Sequence, residues 1–422
     1  MGKGQLSLGV KVLLIAGMVL SFGMIGCEGE EEAFTVEETE VEVEVDSWED
    51  MDPGEVSRFD GETAKQPDVS WEPYRVDRDV RGVYFTEYTL SRGEEYFQSL
   101  IEKTNNSIIN AWVINIKNDN ANVVYNSEVP LVQEVGADMS IIRDMDHVMN
   151  ELRENDIYPI GRIVAFKDRI AATAREDLAI KDVNGNVWRD NKGDAWLNPY
   201  KKESWDYLVD IAKEAAMHGY KDIQFDYVRF PTDGRTSEID YEGKDEEMSQ
   251  SEAIAAFLEY AREELKPYGV FVTADIFGWA LVETGGASVG HHLETIVPAT
   301  DVILPMVYPS HYGPGIFGFS KPDLHPYEMV YQSMERAQER IADMNYDGQV
   351  ARLRPWLQDF TATYLGAGNW MTYGPEEVLL QIEASYDAGV EEWVLWNSGN
   401  NYTWEALEAV DVEDFTEEDE GN

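Results

Sequence analysis

The chain has 422 residues, 43% of them hydrophobic, enough to bury one large core or two ordinary ones. Asp and Glu total 82 against 33 Lys and Arg, a formal net charge of -49, which argues against nucleic acid as a partner because phosphate contacts need basic surface. One Cys excludes an intramolecular disulfide and a Cys-based zinc site. The six scattered histidines (His147, His218, His291, His292, His311 and His325) form no HExxH pair, so no metal centre and no cofactor is expected.

Residues 1–26 read as a signal peptide. Lys3 and Lys11 supply positive charge, and the apolar run Val12 to Gly23 is shorter than the roughly 20 residues of a spanning helix. Met24-Ile25-Gly26-Cys27 follows and resembles the lipobox of bacterial lipoproteins. That resemblance implies lipidation of Cys27, an anchor in the cell membrane and an extracytoplasmic location. The competing reading is an uncleaved anchor with an incidental thiol. Residues 27–76 are dominated by Glu and Asp and are expected to form a disordered, self-repelling tether. Residues 411–422 form a second acidic tail.

Residues 77–410 alternate short β-rich runs with amphipathic stretches. The strand candidates are Gly82–Thr86, Ile109–Ile116, Tyr158–Ala165, Asp222–Val228, Val270–Ile276, Val302–Val307, Arg352–Leu357 and Glu392–Trp396. Helical spacing is present in Ile141–Arg153, Glu203–His218, Glu252–Leu265, Tyr327–Asp343 and Pro375–Asp387. Gly219 and Gly389 punctuate helix ends just before the next strand, as in a βαβ unit. Eight such units predict an α/β fold of the (β/α)8 TIM barrel type, and no phosphate-binding glycine loop favours a dinucleotide fold. The polar stretch Asp233 to Ser251 reads as a flexible lid or a surface excursion.

A barrel of this kind carries its active site at the C-terminal ends of the strands. Polar and aromatic candidates there include Glu87, Lys117, Asp119, Lys167, Arg229, Trp279, Tyr308, His311, Gln358, Asp359, Trp396 and Asn397. Arg162, Trp196, Gln224 and Trp356 are further candidates for binding substrate. Asp226 and Asp275 stand out because each puts an ionisable side chain into a run that should be buried. Period-two alternation turns Gln224 with Asp226, and Thr273 with Asp275, to one face each. Adjacent strands lie about 4.8 Å apart, so the roughly 5–5.5 Å carboxyl spacing of a retaining glycosidase is reachable. The bland alternative is that one aspartate only orients Arg162 or Arg229. With 12 Trp and 22 Tyr, the chain has many rings near strand ends to meet the C–H faces of sugars, although core packing is the commoner fate of any one ring.

Several strings resemble a bacterial family of glycosyl hydrolases. They are Gly161 to Asp168, Trp188-Arg189-Asp190, Asn198-Pro199, Ile223 to Pro231, Arg354 to Phe360 and Leu395-Trp396-Asn397. The resemblance runs from about Arg81 to Tyr402 and implies a barrel distantly similar to α-amylase-type glycosidases. It implies a nucleophile at the end of strand four, where Asp226 stands, and an acid/base at the end of strand five, where Asp275 stands. The amylases commonly have Arg two residues before the strand-four Asp, where this chain has Gln224. Asn115 and Asn118 stand where the resemblance leads one to expect Asp.

The leading reading is a retaining glycoside hydrolase acting on an extracellular or cell-envelope polysaccharide. The alternative is a non-catalytic carbohydrate-binding surface lipoprotein on a degenerate barrel. A metal-dependent deacetylase would need clustered His and Asp ligands, which the dispersed histidines do not supply.

Overall fold

The computed structural model describes residues 79–245, 247–283 and 289–416. The expected signal peptide, Cys27, the acidic tether and residues 417–422 of the acidic tail lie outside the described residues.

Eight parallel staves close into a barrel. They are β1 (Arg81–Phe85), β2 (Ala111–Lys117), β3 (Tyr158–Val164), β4 (Asp222–Asp226), β5 (Phe271–Phe277) and β6 (Val302–Met306). β7 comes in two pieces, Arg352–Leu353 and Trp356–Gln358, and β8 is Trp393–Trp396. Each strand pairs in parallel with the next, and β8 pairs back onto β1 through Gly82 opposite Val394, so the sheet has no free edge. The expected seventh strand ran unbroken from Arg352 to Leu357. It is interrupted at Arg354 and Pro355, where the proline ring has no N–H to give to the ladder.

Six helices of ten or more residues, among the described residues, pack outside the staves. They are α1 (Glu94–Asn105), α2 (Met145–Glu154), α3 (Lys202–His218), α4 (Gln250–Leu265), α5 (Pro326–Asp343) and α6 (Pro375–Asp387). α2 starts four residues later than the periodicity suggested, because the Asp144 side chain accepts the His147 N–H and caps the helix there. Ser249 and Glu252 form a reciprocal capping box at the start of α4. Gly219 ends α3 in the left-handed region at φ 110°, a conformation that favours a residue without Cβ.

Alternation along the staves builds two apolar layers. Trp112, Ile114 and Ile116 of β2 face the helices, while Ala111 and Val113 face the barrel axis with Ile160, Leu304 and Val394. At the N-terminal end of the barrel, Arg354 donates from Nη1 to Asp222 at 2.7 Å and from Nε to Glu392 at 2.7 Å, and Thr273 donates to Asp222 at 2.7 Å. That cluster is on the face opposite the mouth, where polar groups serve stability.

Long connections after β3 and β4 cover part of the mouth. The stretch expected as a lid or surface excursion is tied down: its Ile239–Asp240 pairs antiparallel with Lys181–Asp182 from the loop after β3. Across the described residues no helix is long and apolar enough to cross a membrane.

Candidate active site

The inward faces of β2 to β5 converge at the C-terminal end of the barrel. On β4 and β5, Ile223, Gln224 and Phe225 lie opposite Val272, Thr273 and Ala274. One further step along that register brings Asp226 level with Asp275. Each aspartate therefore ends or nearly ends its strand, on neighbouring staves, as alternation predicts.

Their surroundings are opposite in kind. The Asp226 carboxylate is 15% exposed, and its Oδ2 accepts from Arg162 Nε at 3.0 Å and Nη2 at 2.5 Å. Its Oδ1 accepts the Tyr227 backbone N–H at 2.6 Å. Tyr227 sits at φ 48°, a left-handed conformation that a non-glycine residue seldom adopts, and this turn delivers the N–H to the carboxylate. Charge-assisted bonds of this length fix the orientation of the Asp226 carboxylate.

Asp275 is only 2% exposed. Its Oδ1 accepts from Trp356 Nε1 at 2.7 Å and from Gln224 Nε2 at 2.8 Å, and its Oδ2 accepts from the same amide at 2.9 Å. Burial raises its pKa well above the ordinary carboxylate value, and the neighbouring Asp226 charge raises it further. Hydrogen bonds from Trp356 and Gln224 and the charge of Arg162 act in the opposite direction without reversing it. The two carboxyls thus differ in setting, Asp226 paired with a guanidinium and Asp275 buried with a raised pKa.

Arg162 links the whole pocket. Besides Asp226, its Nη1 donates to Asn115 Oδ1 at 2.9 Å and to Asp119 at 3.1 Å. Asn115 passes its amide protons to Glu87 at 2.8 Å and to Tyr84 OH at 2.9 Å, and Asn118 donates to the other Glu87 oxygen at 2.7 Å. Glu87 is buried and fully occupied in orienting those amides, whereas Asp119 has a half-exposed side chain at the rim. Where the resemblance leads one to expect Asp, Asn115 and Asn118 act as donors to Glu87. An aspartate at either position would set a second carboxylate against it.

Aromatic rings line the wall beside Arg162. Trp396 stacks on Tyr84 with centroids 4.4 Å apart, and both rings lie under the guanidinium, at 5.8 and 5.6 Å. Trp356 meets Trp396 edge-on at 5.5 Å. Tyr84 is absent from the residues singled out by sequence, although its inward position in β1 follows from alternation. Tyr308 is buried against His311 and Phe360. Trp279 stacks on Phe277 at the end of β5, with centroids 6.2 Å apart.

A second group lies over β3 and β4. Trp196 is buried, donates to Asp190 at 3.1 Å and carries Arg229 over its face. Lys167 pairs with Asp194 at 3.0 Å and lies 5.2 Å from the centre of the Tyr227 ring.

Four expected binding residues sit elsewhere. Lys117 is fully buried, because a bulge after Asn115 changes the facing of β2, and its ammonium is spent on Asp168 at 2.8 Å and the Val164 carbonyl at 2.6 Å. Gln358 is also sealed, accepting from Ser310 and donating to Asp323 and the Phe360 carbonyl. Asp359 clamps Thr403 through its N–H and hydroxyl, and Asn397 ties the Asp359 carbonyl to the turn at Gly399 and Asn401. These four shape the mouth from behind and offer no free group to a ligand. Within the described residues no cluster of three or more His, Cys, Asp or Glu is arranged to hold a metal ion.

No curated protein matches this chain. Among solved structures, a hypothetical protein from Ruminiclostridium thermocellum ATCC 27405 is 41% identical over 46% of this chain and 96% of its own, with a TM-score of 0.42. The PgaB (BpsB) glycoside hydrolase domain from Bordetella bronchiseptica is 12% identical, spanning 78% of this chain and 98% of its own, with a TM-score of 0.55, a likeness of fold. The alpha-galactosidase TtGalA from Thermus thermophilus is 12% identical over 78% of this chain and 61% of its own, with a TM-score of 0.47. Residues 82–402 match a family model described as "Putative glycosyl hydrolase domain", a span that takes in all eight staves but the first residue of β1, and the chain belongs to that family.

Proposed function

We propose that the protein is a retaining glycoside hydrolase acting on an extracellular or cell-envelope polysaccharide, with Asp226 as nucleophile and Asp275 as acid and then base. The observation that carries this reading is the pairing of an arginine-bound carboxylate with a buried carboxyl of raised pKa on adjacent strand ends at the barrel mouth. In the first step the Asp226 carboxylate attacks the anomeric carbon as the glycosidic C–O bond breaks, and the Asp275 proton passes to the leaving oxygen. In the second, Asp275 takes a proton from water, which attacks the same carbon and frees Asp226. Arg162 orients the nucleophile, and the Tyr84–Trp396 wall suits the apolar face of a sugar ring.

A second reading, a non-catalytic carbohydrate-binding protein, is favoured by the low exposure of Asp275 and by the occupation of both Asp226 oxygens. Hydrolysis of aryl glycosides and envelope polysaccharides by the full-length protein, beside Asp226→Asn and Asp275→Asn, separates the two. The hydrolase reading expects cleavage lost by at least about a hundredfold in each variant, with the first-formed product keeping the substrate's anomeric configuration by NMR. Glycan binding without cleavage, unchanged in both variants, supports the binding protein. We also propose lipid attachment at Cys27. Incorporation of labelled palmitate into the wild type but not into Cys27→Ser is the expected result, and equal labelling would sink it.

A further inference from the structure

The cations near the mouth of this acidic barrel can be accounted for individually. Arg162 is saturated by Asp226, Asp119 and Asn115. Lys167 pairs with Asp194, and Lys117 with Asp168. Arg229 differs. Among the described residues no carboxylate forms an ion pair with it, and its hydrogen bonding is limited to Nη1 donating to the Phe230 carbonyl at 2.9 Å. The rest of its five N–H donors have no protein partner there.

Three rings hold this guanidinium in place. Its carbon lies 5.0 Å from the centre of Trp196, 5.0 Å from that of Tyr227 and 5.2 Å from that of Phe277. Cation–π contacts of this kind contribute about 0.5–2 kcal/mol but satisfy none of the N–H groups. The nearby imidazole, His291, does not substitute for an anion. Its Nδ1 accepts the Phe277 N–H, its Nε2 lies 3.2 Å from the Val228 carbonyl, and burial together with Arg229 pushes its pKa down to about 3. The charges of Asp226, Asp233 and Asp190 act on this half-buried cation, but none of the three forms an ion pair with it.

Its position gives the vacancy of partner a meaning. Arg229 lies three residues beyond Asp226 on the same turn, close enough for the Asp226 charge to act on it. Tyr227 connects them, giving its N–H to Asp226 and its ring to Arg229. A guanidinium fork matches planar oxyanions in a bidentate manner, and ring walls around it suit a sugar bearing such a group. The net charge of -49 repels a polyanion at long range, but at physiological salt that field decays over about 8 Å, which leaves recognition to contact.

We propose that Arg229 in its three-ring box receives an anionic oxygen group carried by the sugar bound beside Asp226, a uronate carboxylate or a sulfate ester. The inference rests on the reading of Asp226 and Asp275 as a sugar-cleaving pair, and it names the substrate class as an acidic polysaccharide. Calorimetric titration of the full-length protein with oligoglucuronides and oligogalacturonides, their carboxyl-reduced neutral counterparts, and a sulfated neutral oligosaccharide tests it. At least one acidic ligand should bind tenfold or more tighter than its neutral counterpart. Arg229→Gln should erase that preference and Arg229→Lys should keep part of it; the acidic ligand affected tells carboxylate from sulfate.

Equal binding of acidic and neutral ligands, a preference that survives in a folded Arg229→Gln, or no binding of any acidic ligand would overturn the proposal. If Arg229→Gln does not fold, the wild-type comparison of each uronide with its carboxyl-reduced form still decides. Cleavage is read in the same samples. Hydrolysis without acidic preference removes this proposal and leaves the hydrolase. Acidic preference lost in Arg229→Gln without hydrolysis removes the hydrolase and leaves the anion site.

Discussion

Arg162 of β3 donates twice to Asp226 of β4, from Nε at 3.0 Å and Nη2 at 2.5 Å, so the guanidinium that fixes the candidate nucleophile comes from the neighbouring stave and not from two residues upstream. Gln224, at that upstream position, turns instead to Asp275. One inward layer of side chains thereby assigns a cation to one carboxylate and a neutral amide to the other.

Arg162→Gln should therefore damage both folding and activity. Removing one partner of a buried pair leaves an uncompensated charge and costs about 3–5 kcal/mol, and a lost preorganised contact to the reacting group costs about 10²–10³ in rate. Arg162→Lys keeps the charge without the fork and should recover stability more than activity. Thermal melts and kcat on a cleaved glycan measure the two effects. Activity unchanged in Arg162→Lys would sink the role of the fork.

Stability should fall as pH rises through the range where Asp275 ionises. Its folded-state pKa is raised by burial and by Asp226, so the folded protein binds that proton more tightly than the unfolded chain. This contribution is full below the ordinary carboxylate pKa, about 4, and is lost as pH passes the raised value. Asp275→Asn should flatten that decline in chemical denaturation curves. An identical decline in the variant would place its origin in other buried acids, such as Asp323, whose pKa burial lifts to about 6.

Trp356→Phe tests the hydrogen bond from the ring to Asp275. The indole N–H stabilises the ionised carboxylate, so losing it should raise the Asp275 pKa further, by up to about one unit for a bond of about 1 kcal/mol. Carbon-detected NMR titration of the aspartate carboxyls reads the shift directly. A downward shift would contradict the assignment.

Gly278→Ala should destabilise the end of β5. A Cβ there would stand 2.4 Å from the Met306 carbonyl oxygen and 2.6 Å from Tyr312 OH, and the first is backbone that cannot swing away. Overpacking of this kind costs about 1–3 kcal/mol. Because Gly278 lies three residues beyond Asp275, thermal stability and activity should fall together.

At the opposite end of the barrel, Arg354→Met should remove about 3–5 kcal/mol by leaving Asp222 buried without its cation and Glu392 with Arg352 alone. An Arg354→Met protein that remains folded should keep its glycan affinity, because the cluster is remote from the mouth. Denaturation and titration calorimetry separate the two quantities.

The sequence by itself determined the barrel, because each stave is a short apolar run and each outer helix a periodic one, patterns set by local neighbours. It also turned Asp226 and Asp275 to one face of neighbouring strands by alternation, while the register that brings them level came from the pairing of β4 with β5. Lys117, Gln358, Asp359 and Asn397 show where such reading stops. They end strands, but a bulge, a turn or a facing residue from a distant segment takes up their polar groups. Tertiary structure alone decided that Arg162 belongs to Asp226, that Trp356 and Gln224 belong to Asp275, and that Arg229 has rings around it and no ion-paired acid. Those pairings depend on which side chains the closed barrel brings to one height from strands far apart in the chain. Burial, which raises the Asp275 pKa, likewise arises only when the staves close.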